Sequence, residues 1–173
     1  MKTVRKYIPI VVLLFLVVAC GYRNPNVYTG PPKAIYITDW KNRTNKLNLD
    51  SQLYRSLVRW FQNASSISTV RTKDGADIIL AGEIVSLELP SLAYGTNLVA
   101  TEVRVRLRVR YIIKEISTNK IMVEVPDETW TQEYLVSSNS NTNIDNENKA
   151  LGIILDDLSQ KIYQRTVAEI PKL

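Results

Sequence analysis

The sequence predicts an α+β domain, a two-layer sandwich in which a mostly antiparallel sheet of about four strands carries two helices packed on one face. Apolar and arginine side chains alternate from Val103 to Tyr111, which indicates a strand with one buried face. Apolar residues recur at helical spacing over residues 49–62 and again over residues 145–170, which indicates two amphipathic helices.

The first nineteen residues predict a secretory signal peptide. Three basic side chains lie within the first six residues, and an apolar run extends from Tyr7 to Ala19. This run is shorter than the roughly 20 residues that a helix needs to cross a bilayer. A basic start followed by a short apolar run and small residues is typical of a cleaved signal.

The end of this segment resembles the lipobox of bacterial lipoproteins. The residues are Val17-Val18-Ala19-Cys20. The resemblance implies cleavage after Ala19 and acylation of Cys20, which becomes the first residue of the mature protein. Gly21 follows, where an Asp would resemble an inner-membrane retention signal. We therefore expect a lipid anchor on the periplasmic face of the outer membrane, since two or more acyl chains anchor a protein stably.

Residues 20–33 predict a lipidated tether, because residues 21–33 contain three prolines and two glycines. Residues 34–173 then predict a single α+β domain, which opens with a short strand at 34–38. Asn42 to Asn48 reads as a polar loop. The first helix follows, and its apolar stripe is Leu49, Leu53, Leu57 and Phe61.

The middle of the chain predicts a series of strands separated by turns. The segments are a weak strand near 69–72, a strand at 76–89 closed by Pro90, a turn at 94–97, a strand at 99–116, a hairpin turn at 117–119 and a strand at 120–135. A polar loop at 137–143 precedes the last helix, predicted from Asp145 to Ile170, whose apolar side is Leu151, Ile154, Leu155, Leu158 and Ile162.

Four arginines on the polar side of the 99–116 strand form what we call the arginine row: Arg104, Arg106, Arg108 and Arg110. Their spacing along one strand face is about 6.8 Å. The row has two interpretations. It is a solvated face whose arginines pair with carboxylates of neighbouring strands, for which Glu83, Glu88, Glu124, Glu128 and Glu133 are available. Alternatively it binds an anionic ligand or partner, since the planar guanidinium suits phosphate and carboxylate.

Composition excludes several classes of function. The chain has one cysteine and no histidine, so it forms no internal disulfide and holds no His-dependent catalytic device. No dinucleotide or phosphate-loop motif is present. The net charge of +5 includes three bases of the signal segment and does not indicate nucleic-acid binding. We expect no enzyme, no cofactor and no metal.

Several short motifs, taken in order, resemble one family. They are Cys20-Gly21-Tyr22-Arg23, the strand 35–37 followed by Asn42-Arg43-Thr44, the segment from Asp77 to Ile84, Pro90 with Tyr94, Thr101-Glu102-Val103-Arg104-Val105, and Glu133-Tyr134 before the closing helix. Together they resemble the LptE family of lipopolysaccharide-assembly lipoproteins over nearly all of the mature chain.

The resemblance implies a non-enzymatic lipoprotein of the lipopolysaccharide transport machinery. Such a protein sits in the lumen of the translocon β-barrel, an LptD-like subunit, plugs it, assists its assembly and has lipopolysaccharide as a further ligand. The arginine row is the candidate contact for lipopolysaccharide or an anionic partner. Loops 94–100 and 137–146 contain no Lys or Arg, which argues against a cationic ligand contact there.

Three aromatic residues are candidates for the barrel interface: Trp40, Tyr94 and Trp130. Packing in the core or on the sheet is the preferred interpretation for each of them.

Two alternatives remain open. The first is another outer-membrane lipoprotein, such as an activator of a peptidoglycan synthase, although a 13-residue tether reaches at most about 45 Å. The second is a lipid-anchored hydrolase, which the missing histidines and the lack of a nucleophile motif disfavour. Partner capture in mild detergent discriminates these alternatives from a barrel plug.

Overall fold

The computed structural model describes residue 28 and residues 30–64, 66–95 and 100–170. The predicted signal peptide, Cys20 and most of the predicted tether lie outside the described residues. The described elements are β1 (Lys33–Ile37), β2 (Lys41–Asn42), α1 (Leu49–Gln62), β3 (Ile67–Val70), β4 (Ile78–Glu88), β5 (Ser91–Tyr94), β6 (Ala100–Glu115), β7 (Ile121–Leu135) and α2 (Ser140–Glu169).

The two helices have the predicted apolar stripes. The bounds of α1 match the prediction. In contrast, α2 begins at Ser140, five residues before the predicted start, because the side chain of Asn139 accepts hydrogen bonds from the backbone N–H groups of Asn141 and Thr142, at 2.9 and 3.4 Å. The Ser- and Asn-rich run that reads as a loop is therefore a capped helix start. Neither described helix has the length and hydropathy required to cross a membrane.

The sheet has seven strands and is mixed, so the prediction of about four mostly antiparallel strands is wrong. β6 has antiparallel neighbours on both edges. β4 and then β5 pair with it along one edge, and β7 pairs with it along the other. β1 runs parallel to both β3 and β4, and β2 runs parallel to β4.

The crossover after β1 and the shortness of two strands explain why the observed sheet differs from the predicted one. α1 joins β1 to β3 as a crossover, and such a connection places the second strand parallel to the first. β2 and β5 are only two and four residues long, too short for a periodic signal in the sequence. The segment predicted as a turn at 94–97 begins with the last residue of β5, and residues 96–99 lie outside the described residues.

The predicted buried face of β6 is confirmed. Val105, Leu107 and Val109 are fully buried, and Val103 and Tyr111 are 8% and 2% exposed. All of these except Val103 belong to one buried cluster with the apolar stripes of α1 and α2. α1 packs against α2, and α2 lies over β7 and β6, so this inner face of the sheet is covered.

Tyr28 also belongs to the buried cluster, although it precedes the predicted start of the domain. Its side chain is 5% exposed, and its hydroxyl donates to the backbone oxygen of Pro31 at 2.9 Å. A Cβ on Gly30 would lie 2.4 Å from that hydroxyl, so the chain turns closely around the ring. The packed part of the chain therefore extends upstream of residue 34.

Candidate functional site

The arginine row lies on the outer face of β6, opposite the helices. Its members alternate with the buried residues of the strand, as a pleated backbone requires. Between 36% and 53% of each side chain is exposed. The structure thus brings all four predicted residues to one half-exposed surface.

Two of these arginines pair with carboxylates of β7. Arg104 donates from Nε and Nη2 to Glu133 Oε1, at 3.0 and 2.6 Å. Arg108 donates from Nε and Nη2 to the two carboxylate oxygens of Asp127, at 3.3 and 3.2 Å. Asp127 follows Pro126, where the register between β6 and β7 shifts. That irregularity explains why a residue outside the expected set becomes the partner of Arg108.

The other two pair with carboxylates of β4. Arg106 Nη1 donates to Glu88 Oε2 at 3.1 Å. Arg110 Nη2 donates to both carboxylate oxygens of Glu83, at 3.0 and 3.1 Å. Arg43, just beyond β2, also donates to Glu83, including a contact from Nη2 to Oε2 at 3.3 Å. One carboxylate therefore serves two guanidinium groups.

Glu83 is the least exposed carboxylate of this face, with 8% of the residue accessible. The hydrogen bond from Arg43 lowers the pKa of Glu83, burial opposes that effect, and Arg110 lowers the pKa further. The same contact raises the pKa of Arg43. Glu83 and Arg43 therefore both remain charged at neutral pH.

The ion pairs leave the arginines able to bind a further anion. A guanidinium has five N–H donors, and the described contacts of Arg106 use one of them. Half-exposed ion pairs contribute about 0–1 kcal/mol each. Exchange of such a carboxylate for an incoming phosphate would therefore cost little. Pairing of the arginine row with carboxylates is therefore compatible with binding of an anionic ligand by the same row.

A groove adjoins the row at Arg110. It has a volume of about 420 Å³. Its lining includes apolar residues, two cations and three acids, which are Ala81, Ile112, Val125, Pro126, Lys41, Arg110, Asp39, Glu83 and Glu124. Its floor is the outer face of β4 and β6, and the irregular part of β7 forms one wall. The groove therefore combines apolar groups with charges of both signs, and Arg110 is the member of the arginine row that lines it.

The three candidate aromatics occupy different environments. Trp40 is 4% exposed and packs on Gly82, with its ring centroid 6.1 Å from that of Tyr111. Trp130 lies opposite Leu107 on the inner face and is partly buried. Tyr94 is 61% exposed. Of the three, only Tyr94 presents a large surface to a partner.

A second polar cluster lies on the inner face, between α2 and the sheet. Arg165 of α2 donates to both carboxylate oxygens of Glu128, at 2.7 and 3.0 Å, and also to the hydroxyl of Tyr111. Burial is the main cause that raises the pKa of Tyr111 to about 12. The sequence made Glu128 a candidate partner of the arginine row, but in the structure Glu128 pairs with Arg165 instead.

Sequence reasoning missed Arg43 and Arg165 as partners of the sheet. Arg43 lies 40 residues from Glu83, and Arg165 lies 54 residues from Tyr111. No periodic pattern connects residues at these separations. Within the described residues, no group of His, Cys, Asp or Glu side chains is arranged to hold a metal ion.

One family of known proteins matches this chain. A family model described as LptE, lipopolysaccharide-assembly, matches residues 32–166. No curated protein matches the chain.

Solved structures share the fold. A protein of Xanthomonas campestris has a TM-score of 0.60 at 12% identity, covering 86% of this chain and 91% of its own. An uncharacterized lipoprotein B of Nitrosomonas europaea has a TM-score of 0.57 at 16% identity, with the same coverage of 86% and 91%. The rare lipoprotein B of Shewanella oneidensis has a TM-score of 0.57 at 12% identity, covering 78% and 94%.

Proposed function

Because the chain belongs to the LptE family of lipopolysaccharide-assembly lipoproteins, we propose that it plugs the lumen of the lipopolysaccharide translocon β-barrel, an LptD-like protein, and assists the assembly of that barrel. The family match over residues 32–166 carries the proposal, and it confirms the resemblance seen in the sequence motifs. The family is one of non-enzymatic lipoproteins, associated with lipopolysaccharide transport.

The surface of the domain supports this role. The helices cover the inner face of the sheet, whereas the outer face carries the paired arginine row. The lumen of an outer-membrane barrel is polar. A domain whose helix-covered sheet face is apolar and whose open sheet face carries ion pairs is matched to such a wall. Acylation of Cys20 holds the domain at the periplasmic face of the outer membrane.

Purification of the tagged full chain in mild detergent tests the plug. We expect one large β-barrel protein to be captured in equal amount with the lipoprotein. Capture of a peptidoglycan synthase without a barrel would instead support the activator alternative. Replacement of Cys20 by Ala is the matched control for the anchor: it should abolish acylation, measured by the mass of the protein.

Lipopolysaccharide is the ligand that we propose for the arginine row and the adjoining groove. The guanidinium groups contact the phosphates, and the apolar floor at Ala81 and Ile112 contacts an acyl chain. Arginines on successive outward positions present a line of donors, so more than one phosphate is bound along the strand.

Binding of lipopolysaccharide to the detergent-solubilised full chain tests this site. Arg106→Ala with Arg110→Ala should weaken binding by at least about tenfold, since one hydrogen bond to a charged group contributes about 1.5–3 kcal/mol. Arg55→Ala with Lys161→Ala removes two exposed cations from the helices and should leave the affinity unchanged. Equal affinity of both double variants would reject the site.

A further inference from the structure

Among the described strands, β7 is the longest one with an open edge. In the part of the chain that the structure describes, β7 pairs only with β6, whereas β6 has neighbours on both edges. The other strands at the margins of the sheet, β2, β3 and β5, have two to four residues, but β7 has fifteen. An open edge presents unpaired backbone N–H and C=O groups, which are a template for a further strand.

Two hydrogen bonds establish which backbone groups of β7 face this edge. The N–H of Val136 donates to the oxygen of Thr101, across the pair with β6, at 2.9 Å. The oxygen of Leu135 accepts from the side chain of Asn146, on α2, at 2.9 Å. Backbone groups alternate in direction along an antiparallel strand. In this half of β7, the even-numbered residues therefore face β6 and the odd-numbered residues face outward.

The two halves of β7 differ in how far they protect this edge. The first half contains Pro126, three acids and two register shifts, which are features that discourage strand pairing. The second half, residues 129–135, pairs with β6 in unbroken register and has no proline. Its one acid, Glu133, is already bound by Arg104. Its other residues are mostly aromatic or β-branched, as is typical of strands. We call residues 129–135 the open edge.

The open edge has backbone groups without a hydrogen-bond partner. The described residues supply no partner for the N–H and C=O of Thr129 and Thr131, or for the N–H of Glu133. The C=O of Glu133 accepts from the side chain of Gln132 at 3.3 Å. Thr129, Thr131 and Glu133 are exposed, so a partner can reach them. Outward groups two residues apart recur about every 6.8 Å, which is the spacing that an added antiparallel strand requires.

A groove lies between the open edge and α2. It has a volume of about 300 Å³ and is lined by residues 132–135 of β7 and by Asn146, Lys149, Ala150 and Ile153 of α2. Its exposed apolar residues are Leu135, 70% exposed, and Ile153, 47% exposed. Neighbouring strands of a sheet lie about 4.8 Å apart. A strand added to the open edge therefore has alternate side chains over this groove.

The groove is cationic through Lys149. This lysine is exposed, and none of the ion pairs among the described residues involves it. The acids beside it are engaged, because Glu133 pairs with Arg104 and Glu147 pairs with Lys46, both at 2.6 Å. An acidic side chain of an added strand therefore complements Lys149, and an apolar side chain complements the aliphatic wall.

The backbone of the open edge selects the class of partner. Its outward groups recur with the spacing of a polypeptide strand, which the phosphates and acyl chains of a glycolipid do not match. In the proposed location the barrel encloses the domain, so the barrel polypeptide is the partner within reach. The strands of a closed barrel are paired on both edges. The segment that is added must therefore be one that enters the lumen.

We propose that the open edge of β7 binds an extended segment of the barrel protein by strand addition. An acidic and an apolar side chain of that segment lie over the groove at Lys149 and Ile153. This inference rests on the barrel partner in the proposed function. Main-chain hydrogen bonds provide the affinity, and the groove provides the sequence preference. A strand added at one edge also fixes how the domain is turned within the lumen.

Amide hydrogen exchange resolved at single residues tests the pairing. The full acylated chain is compared in detergent, alone and in complex with the barrel. We expect the amides of Thr131 and Glu133 to exchange at least about tenfold more slowly in the complex, because each gains a backbone hydrogen bond. The amides of Gln132 and Tyr134 face β6, so they are protected in both states and should change less.

Thr131→Pro removes one outward N–H without removing a hydrogen bond to β6. Proline is tolerated at such a position of an edge strand, so the melting temperature of the uncomplexed chain should stay close to that of the parent. The affinity for the barrel should fall by at least about tenfold, because an added strand loses a hydrogen bond and meets the proline ring. Thr131→Val keeps the N–H at the same position and should bind as the parent does.

Substitutions in the groove provide a second measure that does not depend on tolerance of proline. Lys149→Glu and Ile153→Asp change exposed side chains. Each should weaken the affinity for the barrel and reduce the protection of the Thr131 amide. Lys161→Glu makes the same change of charge at an exposed position of α2 outside the groove, and it should preserve both.

Fast exchange of Thr131 and Glu133 in a complex that contains the barrel would overturn strand addition and leave the plug itself standing. Equal affinities of Thr131→Pro and Thr131→Val for the barrel would have the same consequence. Protection that rises with chain concentration in the absence of the barrel would place a second copy at the open edge and reject the proposed partner. Failure of the parent chain to capture any barrel would contradict the proposed function as well.

Discussion

Arg110 on β6 donates from Nη2 to both carboxylate oxygens of Glu83 on β4, at 3.0 and 3.1 Å. The two residues are directly paired in the antiparallel register, so their side chains leave the sheet on the same face. Arg43 shares that carboxylate. The outer face is therefore held together by one acid at the point where the β2 segment, β4 and β6 meet.

Glu83→Gln should destabilise the protein at neutral pH, because it leaves Arg43 and Arg110 close together without a shared anion. The contact with Arg43 is the largest cause that lowers the pKa of Glu83. A lowered folded-state pKa stabilises above the ordinary glutamate value, and that stabilisation is lost as pH falls through the lowered value. Melting temperature should thus fall at pH 7 and converge with the parent in acid.

Glu88→Gln provides the comparison for this experiment. Glu88 pairs with a single arginine, and 47% of its side chain is exposed. Its replacement should change the melting temperature less than that of Glu83. An equal loss in both variants would contradict the central role of Glu83.

Arg165→Met should weaken the attachment of the second half of α2 to the sheet. It leaves the partly buried Glu128 without its cation and Tyr111 without a donor. We expect a loss of about 1–3 kcal/mol in the free energy of unfolding, measured by chemical denaturation. Lys161→Met, at an exposed position of the same helix, should stay within about 0.5 kcal/mol of the parent.

The alkaline stability of the protein should depend on Tyr111. Burial, the first cause, raises the pKa of this tyrosine from 10.0 to about 12. A raised folded-state pKa means that its contribution is complete below pH 10 and is lost as pH rises toward about 12. Tyr111→Phe should flatten part of the decline in melting temperature over that interval. If the melting temperature of Tyr111→Phe declined as steeply as that of the parent, the other tyrosines would be its whole cause.

Gly82→Ala should disrupt the contact between β4 and Trp40. A Cβ at residue 82 would lie 2.5–2.6 Å from atoms of the Trp40 ring, so the ring has to move. Trp40 also packs against Tyr111, with centroids 6.1 Å apart. We expect a loss of about 1–3 kcal/mol in the free energy of unfolding, as for other overpacked sites.

Gly152→Ala should have the opposite effect. Gly152 lies in the middle of α2, and a Cβ there would meet no atom within 4 Å. Alanine is favoured over glycine in a helix by about 0.5–1 kcal/mol. The free energy of unfolding should increase by that amount, measured by the same denaturation. A loss of stability would show that the exposed face of α2 has a contact that its geometry does not explain.

The sequence predicted the positions of the four candidate arginines but not their carboxylate partners. Alternation along β6 places Arg104, Arg106, Arg108 and Arg110 on one face without any knowledge of the rest of the chain. The identity of each carboxylate depends on strand register. The register shift between β6 and β7 at Pro126 determines that Asp127 contacts the row while Glu128 turns to Arg165.

The sequence by itself determined the two faces of β6 and the apolar stripe of α1, because side-chain direction follows from local backbone geometry. The tertiary structure alone decided that β1 lies parallel to its neighbours, that Trp40 covers Gly82, and that Glu83 joins Arg43 to Arg110. The physical reason is the large separation of these residues along the chain. These contacts join residues about 27 to 43 positions apart, and only the packing of the whole sheet against its helices brings such residues together.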